Sequence, residues 1–120
     1  MVNIYLLFYL TIVNQVMSGW IKLHRSLKDW EWYDDHNATR LLLHLLLSVN
    51  YEDRVWKGQT IKAGTIVTSW ENLAKEVGLS VKQIRTAMDK LERSKEVARY
   101  TTNKWQAVSL VKMGQIASRM

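Results

Sequence analysis

The segment from residue 69 to residue 93 contains two amphipathic patterns separated by about three residues. In the first, WENLAKEV, the apolar residues Leu73, Ala74 and Val77 fall on one face of a helix. Gly78 follows, and a glycine with positive φ is typical of the residue that ends a helix. The second pattern, SVKQIRTAMDKLER, has helical spacing with the apolar residues Val81, Ile84, Ala87, Met88 and Leu91. A helix, a short turn and a second helix are therefore predicted.

Both patterns are preceded by residues whose side chains accept hydrogen bonds from the free N–H groups of a first helical turn. Ser80 and Gln83 form such a pair at the start of the second helix. Two pairs are possible for the first helix, namely Thr68 with Glu71 and Ser69 with Asn72. The capping residues therefore set the expected boundaries of both helices.

A leucine-dense run provides a further helix. ATRLLLHLLLSV, residues 38–49, is almost uncharged, so we expect it to be buried on most of its circumference. Asp34, Asp35 and Asn37 suit its cap and first turn, and the helix should begin near Asn37. His44 lies within it and is expected to be a partly buried histidine with a hydrogen-bond partner rather than a general base.

Strands are predicted on both sides of the two-helix segment. TIVTS is rich in branched residues and predicts a short strand before the first of these helices. After the second, EVARYTT and KWQAVSLVKM flank Thr102 and Asn103 and predict a β-hairpin. Three helices followed by a hairpin give an α+β, mainly α, fold class. The predicted architecture is a winged helix-turn-helix, with a three-helix core and a C-terminal β-hairpin wing.

Two other segments have weaker patterns. WIKLHRSL, from Trp20 to Leu27, alternates in a way that suits a short half-buried strand. YEDRVWKGQTIKAG, which follows Asn50, is interpreted as a loop with turns at Gly58 and Gly64. These two segments would connect the main elements.

The first 16 residues carry no charge and include an apolar run from Ile4 to Val13. This run is about half the length of a membrane span, and no Lys or Arg precedes it as in a secretory signal. Because charged residues begin only after Met17, we expect residues 1–16 to be an upstream extension. The alternatives are a cleaved signal and an additional hydrophobic element. The remainder is expected to form one domain, residues 17–113, with a tail at 114–120.

Catalytic and metal sites are not indicated. The chain has no cysteine, which excludes disulfides, thiolate zinc sites and cysteine nucleophiles and suits a reducing cytoplasm. Asp34, Asp35 and His36 are adjacent, but neighbouring side chains diverge and no second cluster supplies further ligands. Helix capping explains these residues better. No enzyme, metal or cofactor is predicted.

The positive charge lies in the second half of the chain. From Ser18 to Thr60, six basic residues balance six acidic ones, whereas from Ile61 to Met120 eleven basic residues face five acidic ones. Such asymmetry is typical of proteins that bind polyanions. The competing interpretation is an ordinary charged surface, and Asp89, Glu92 and Glu96 do give the second helix of the pair and its end a mixed character.

The exposed positions of this second helix are the candidates for DNA contact. In helix-turn-helix proteins, the N-terminal part of this helix meets base edges in the major groove. The residues expected in the groove are Lys82, Gln83, Arg85 and Thr86. The residues expected to contact the DNA backbone are Lys90, Arg93, Arg99, Thr102, Asn103 and Lys104. Ser80 either binds a phosphate at the helix start or only caps the helix.

Residues 18–113 also resemble a known family. The segments GWIKLHRSLKDWEWY, TRLLLHLLLSVN, TIKAGTIVTSWENLAKEVGLSVKQIRTAMDKLE and TTNKWQAVSLV are similar to the N-terminal winged helix domain of phage and mobile-element replication proteins related to DnaD-type replisome organisers. The resemblance implies binding of double-stranded origin DNA or self-association. It also implies replication partners such as a helicase or its loader, although the 120 residues leave no room for a helicase-loading domain. A protein-interaction module and a transcriptional repressor are the alternatives.

Overall fold

The computed structural model describes residues 21, 23, 25–50, 52–101 and 105–110. Within these residues the chain is a small α+β domain with three α-helices and two small antiparallel sheets. The helices are α1 (His36–Ser48), α2 (Trp70–Val77) and α3 (Val81–Arg93). The strands are β1 (Arg54–Trp56), β2 (Gln59–Ile61), β3 (Thr65–Thr68), β4 (Val97–Thr101) and β5 (Gln106–Leu110). A 3₁₀ helix, Arg25–Asp29, precedes α1.

Helix α1 forms the centre of the core. It begins after Asp35, whose side chain accepts a hydrogen bond from the Ala38 amide at 3.0 Å. The helix begins within one residue of the predicted start, and the capping role of Asp35 is confirmed. Four of its leucines are completely buried, as expected from the uncharged run, and these are Leu41, Leu42, Leu45 and Leu46.

His44 lies on the same helix with a side chain that is 15% exposed. Its Nε2 atom is 3.4 Å from the Ser48 hydroxyl and 3.3 Å from a carboxylate oxygen of Glu76 on α2. The prediction of a partly buried histidine with a hydrogen-bond partner is therefore confirmed.

Helix α2 and the turn after it follow the local sequence signals. Of the two possible capping pairs, the structure contains Ser69 with Asn72, with the Ser69 hydroxyl accepting from the Asn72 amide at 3.1 Å. Gly78 adopts the left-handed conformation at φ 84°. The next amide, that of Leu79, donates to the carbonyl of Ala74 at 3.1 Å. This bond is typical of a Schellman end, in which the chain leaves the helix sharply.

Helix α3 begins with a complete capping box. The Ser80 hydroxyl accepts from the Gln83 amide at 3.1 Å, and the Gln83 side-chain oxygen accepts from the Ser80 amide at 2.9 Å. The predicted apolar face is buried in the core with α1 and α2. Lys95, just after the helix, has φ 64°, and the Glu96 amide donates to the carbonyl of Leu91 at 2.9 Å. Helix α3 thus ends in the same way as α2.

The three-stranded sheet has the order β3-β5-β4, with both pairs antiparallel. Its inner face packs on the helices through Val97, Val108 and Leu110. Because side chains alternate along a strand, Tyr100 and Ala107 lie on the outer face. The predicted strand at TIVTS and the two strands of the C-terminal hairpin are confirmed, whereas Thr102, Asn103 and Lys104 lie outside the described residues.

The loop prediction for the segment after Asn50 is wrong for residues 54–61. Strands β1 and β2 pair there, with Trp56 opposite Gln59 across a two-residue turn. Both turn residues have positive φ, 50° at Lys57 and 76° at Gly58, which matches a type I′ hairpin. Lysine is an unusual first residue for this turn, so composition gave a poor signal. Gly64, the second predicted turn point, does have positive φ.

The strand predicted from Trp20 to Leu27 is also wrong where the structure describes it, because Arg25–Asp29 forms a 3₁₀ helix. The Trp30 amide donates to the carbonyl of Leu27 at 3.1 Å, so both apolar side chains turn toward the core. Trp20, Lys22 and His24 lie outside the described residues, as do the predicted extension at 1–16 and the tail at 114–120.

No helix in the described part of the chain combines the length and apolar character needed to cross a membrane. The longest helices, α1 and α3, have 13 residues each, whereas a span takes about 20. Both are capped and pack on each other.

Replacing Gly78 with Ala should lower the free energy of unfolding by about 1 kcal/mol, because a Cβ strains the left-handed conformation. No heavy atom lies within 4 Å of the added Cβ, so this strain is the whole expected cost. Urea denaturation measures the change. Gly78→Asn is the matched variant, since Asn tolerates this conformation better and should lose less. Equal stability of Gly78→Ala and the parent would contradict the prediction.

Candidate nucleic-acid interface

The exposed side of α3 carries the residues predicted to enter the groove. Lys82, Gln83, Arg85 and Thr86 are all exposed, whereas Ile84 between them is fully buried. The Thr86 hydroxyl donates to the Lys82 carbonyl at 3.1 Å. The side-chain oxygen of Gln83 is used in the capping box, which leaves its Nε2 group outside that bond. The four side chains therefore share one surface at the start of the helix.

Lys82 and Arg85 differ in their ionic partners from the other predicted basic residues that the structure describes, Lys90, Arg93 and Arg99. Neither side chain has a carboxylate oxygen of a described residue within 4.0 Å. Their charges are thus not neutralised by direct ion pairs within that part of the chain. A nearby anion would interact with both groups without displacing an existing carboxylate.

Trp70, the first residue of α2, connects this surface to the C-terminal hairpin. The Arg85 guanidinium lies 5.3 Å from its ring centroid, and that of Arg99 on β4 lies 4.6 Å away. Both are cation–π distances, at which the ring attracts each cation and favours one orientation. One indole thus brings together two guanidinium groups from different elements.

Arg99 is partly neutralised within the fold. Its Nε donates to a carboxylate oxygen of Glu92 on α3, and its Nη1 donates to the Gln106 side-chain oxygen at 3.4 Å. The two side chains of the ion pair are 29% and 30% exposed. Arg99 therefore anchors strand β4 to α3 while keeping part of its guanidinium at the surface.

Lys90 also has an internal partner. Its ammonium forms an ion pair with Asp35, the capping residue of α1, and lies 5.5 Å from the Trp32 ring centroid. The hydrogen bond from Lys90, followed by that from the Ala38 amide, lowers the pKa of Asp35 below its ordinary value of 3.8. Lys90 thus ties the middle of α3 to the start of α1.

Arg93 forms an ion pair with Asp89 one turn earlier on the same helix. The two side chains are 77% and 52% exposed, and pairs of this kind contribute little to stability in water. Arg93 is therefore held only weakly by its carboxylate partner. Ser80 is the N-cap of α3, as one of its two predicted roles requires. Its contact with a phosphate stays a prediction.

The structure also contains features that sequence reasoning missed. Trp70 is not part of the apolar face predicted for α2, and the position of its ring between Arg85 and Arg99 was not predicted. The β1–β2 hairpin was also missed, because this segment was predicted to be a loop. The Trp56 ring of this hairpin contacts that of Trp105, the residue just before β5. For Trp70, the available signal was its place at the first position of a helix, with one Arg on the next helix and another on the following strand.

The acidic and histidine residues in the described part of the chain do not form a metal site. No three His, Asp or Glu side chains within that part of the chain lie close enough to share a metal ion. Asp35, one of the adjacent acidic residues considered as a ligand, is engaged with the Ala38 amide and Lys90 instead. The candidate site that the described residues support is the basic surface of α3.

Comparison of the chain with protein-family models, with curated proteins and with solved structures gave no match. The interpretation of the site accordingly depends on its own geometry. That geometry joins Arg85 of α3, the Trp70 ring and Arg99 in the middle of strand β4.

The ion pair of Asp35 with Lys90 predicts a dependence of stability on pH. Because the pKa of Asp35 is lowered on folding, its contribution is present above the ordinary value of 3.8 and is lost as pH falls below it. Asp35→Asn, which can still cap the helix, should therefore be less stable than the parent at neutral pH. The difference should shrink as pH falls below 3.8.

Chemical denaturation at a series of pH values measures this difference. The matched control is Asp34→Asn, since Asp34 is exposed and forms no ion pair with a described residue. A loss of stability in Asp35→Asn that is the same at neutral and acidic pH would contradict the assigned role of the ion pair.

Proposed function

We propose that this chain is a DNA-binding winged helix domain in which α3 enters the major groove of double-stranded DNA. Three helices followed by the β4–β5 hairpin support the winged helix assignment. The three-residue connection between α2 and α3, residues 78–80, supports the helix-turn-helix part of it. In this arrangement α3 is the recognition helix and β4–β5 is the wing.

The observation that carries the proposal is the pair of exposed basic side chains on α3 that form no ion pair with a described residue. Lys82 and Arg85 lie near the start of the helix, exposed and without a carboxylate partner among the described residues. Arg85 and Arg99 share the Trp70 ring, which concentrates positive charge between the helix and the hairpin. Basic residues clustered in this way are typical of proteins that bind polyanions.

Each exposed side chain suits a particular contact. Arg85 and Lys82 can donate to O6 and N7 of guanine, and Thr86 can contact a thymine methyl group. Gln83 uses its oxygen in the helix cap, so its Nε2 group is the donor available for an acceptor on a base. The contact of Arg85 with the Trp70 ring already restricts this side chain in the free protein. Binding should therefore cost it less conformational entropy.

Arg93 and Arg99 are placed further along α3 and on the wing, where phosphate contacts are more common. Both have carboxylate partners, Asp89 and Glu92, so a phosphate would compete with or share these ion pairs. We expect their contribution to affinity to be smaller than that of Lys82 and Arg85. Lys90, paired with Asp35, is expected to contribute least.

The biological role that we assign is replication initiation by a phage or mobile element, acting in the cytoplasm. This part of the proposal rests on the resemblance of residues 18–113 to DnaD-related replisome organisers. A repressor would use the same α3 surface on duplex DNA. The two roles differ in the site that is recognised and in the proteins recruited there.

A second candidate function is self-association through α1. Leu47 is 63% exposed on a helix whose other leucines are buried or partly buried, and Leu43 lies one turn before it. An exposed leucine next to a half-buried one favours a contact with another apolar surface. This surface belongs to α1, so self-association through it would leave the exposed residues of α3 available.

Arg85→Ala should weaken binding to the preferred duplex by about 5- to 150-fold, which corresponds to about 1 to 3 kcal/mol for a base contact. Fluorescence anisotropy with labelled duplex at several salt concentrations measures the effect. Affinity of the parent should fall steeply as salt rises, because phosphate contacts release counterions.

Lys28→Ala is the matched control for that experiment, since Lys28 is an exposed basic residue on the 3₁₀ helix. It should change the affinity far less than Arg85→Ala. If no duplex binds at low salt, or if both variants bind as the parent does, α3 is not a DNA-reading helix.

Leu47→Glu tests self-association. If α1 forms the contact, this variant should be monomeric at concentrations where the parent is a dimer, because the carboxylate cannot be buried without a partner. Sedimentation velocity gives both masses. A parent that remains monomeric throughout the concentration series would exclude self-association through this surface.

A further inference from the structure

Three aromatic side chains meet on the outer face of the three-stranded sheet. The rings of Trp56 on β1 and Trp105 next to β5 are 5.4 Å apart and nearly perpendicular, at 88°. The ring of Tyr100 on β4 lies 6.3 Å from that of Trp105. We call Trp56, Tyr100 and Trp105 the outer aromatic cluster.

The outer aromatic cluster faces away from the α3 surface. Arg99 contacts Trp70 and Glu92 on the helix side of the sheet, so the side chain of Tyr100, its neighbour along β4, projects from the opposite face. Trp105 is two residues before Ala107, which pairs with Tyr100, so Trp105 lies on the same face of the sheet as Tyr100. A ligand on this cluster would not occupy the exposed positions of α3.

The cluster is accessible to a ligand. Tyr100 is 67% exposed, so most of this residue is open to solvent. Trp105 is half-buried, and its contact with Trp56 holds one edge of the cluster against the β1–β2 hairpin. The exposed Tyr100 ring therefore packs beside Trp105, which in turn contacts Trp56.

A basic residue lies against one side of the cluster. The Lys57 ammonium lies 4.8 Å from the centroid of the Trp56 ring. Neither the β1–β2 segment, residues 54–62, nor the β4–β5 hairpin, residues 97–110, contains an Asp or Glu. The acidic Asp53, just before β1, is paired with Lys62 at 3.6 Å. The charge therefore suits an anionic ligand that also presents flat rings.

An open pocket of about 300 Å³ adjoins Trp56 between the β1–β2 hairpin and β3. Arg54 and Asn50 contribute polar groups to its lining, with an Arg54 Nη1 to Asn50 Oδ1 hydrogen bond of 3.1 Å. The pocket gives room beside the cluster for a backbone or sugar, and Arg54 adds a second basic group there.

We propose that the outer aromatic cluster binds single-stranded DNA, with an unpaired base stacked on Tyr100 and the neighbouring phosphates near Lys57 and Arg54. Stacking on aromatic side chains combined with basic residues is the general mode of single-strand binding, and each base contributes through its π-face without sequence preference. The two hairpins themselves, residues 54–62 and 97–110, contain basic residues and no acidic ones, which favours a polyanion over a protein partner of mixed charge. The inference is independent of duplex binding by α3.

The test uses the full chain and a fluorescein-labelled oligo-dT of about 12 nucleotides, a length within the range of known single-strand sites. Fluorescence anisotropy should give saturable binding to oligo-dT. An abasic oligonucleotide of the same length and charge should bind at least about tenfold more weakly, because it retains the phosphates and lacks the rings.

Two variants at one position separate stacking from folding. Tyr100→Ala should weaken oligo-dT binding by about 5- to 150-fold, whereas Tyr100→Phe, which keeps the ring, should bind nearly as the parent does. Tyr100 is mostly exposed, so both variants should fold, and circular dichroism checks this. Arg85→Ala should leave oligo-dT binding unchanged, which separates this site from the proposed duplex site.

Several results would overturn the proposal. These are equal affinity for oligo-dT and the abasic oligonucleotide, unchanged affinity in Tyr100→Ala, and equal losses in Tyr100→Ala and Arg85→Ala. A dimer of the DNA-free chain that dissociates in Tyr100→Ala would assign the cluster to self-association instead. Absence of duplex binding, by contrast, would refute only the function proposed for α3.

Discussion

The buried face of α1 is the constraint on which the rest of the domain depends. Its four leucines with no exposed surface share the core with Ile84, Met88 and Leu91 of α3. Burial of each such side chain contributes about 1.5 to 3 kcal/mol, so this contact dominates the packing. Because one side of α3 is fully committed to it, the charged residues of α3 must occupy the other side. The exposed basic surface is a consequence of core packing.

A second level of organisation joins the helices to the hairpin through Trp70. Two guanidinium groups on one indole would repel each other, but the Glu92 carboxylate pairs with Arg99 and the ring attracts both cations. Arg85, in contrast, forms no ion pair with a carboxylate among the described residues. The arrangement couples the position of strand β4 to that of α3, so the helix and the β4–β5 hairpin present one surface.

The elements predicted correctly from sequence were those with local determinants. The capping box at Ser80, the left-handed Gly78 and the apolar stripe of α3 all lie within a few residues of what they specify. The β1–β2 hairpin was missed because its turn uses Lys57 at positive φ, where Gly or Asn is usual. The exposed positions of α3 followed from subtracting its apolar stripe, whereas the partners of Lys90 and Arg99 depend on tertiary contacts that no local pattern contains.

The far end of α3 is fastened to the segment that precedes α1. The Trp32 indole donates to the Ser94 hydroxyl at 2.6 Å, the Trp30 indole donates to Glu96 at 3.4 Å, and Lys90 pairs with Asp35. Rotation or translation of α3 would break all three contacts. Because these contacts hold α3 in place, we expect any association through α3 to resemble rigid docking, with adjustment of shape falling on the partner. If that partner is a duplex, any bending needed to extend the contact would fall on the DNA, and the deformability of its sequence would become part of what is recognised.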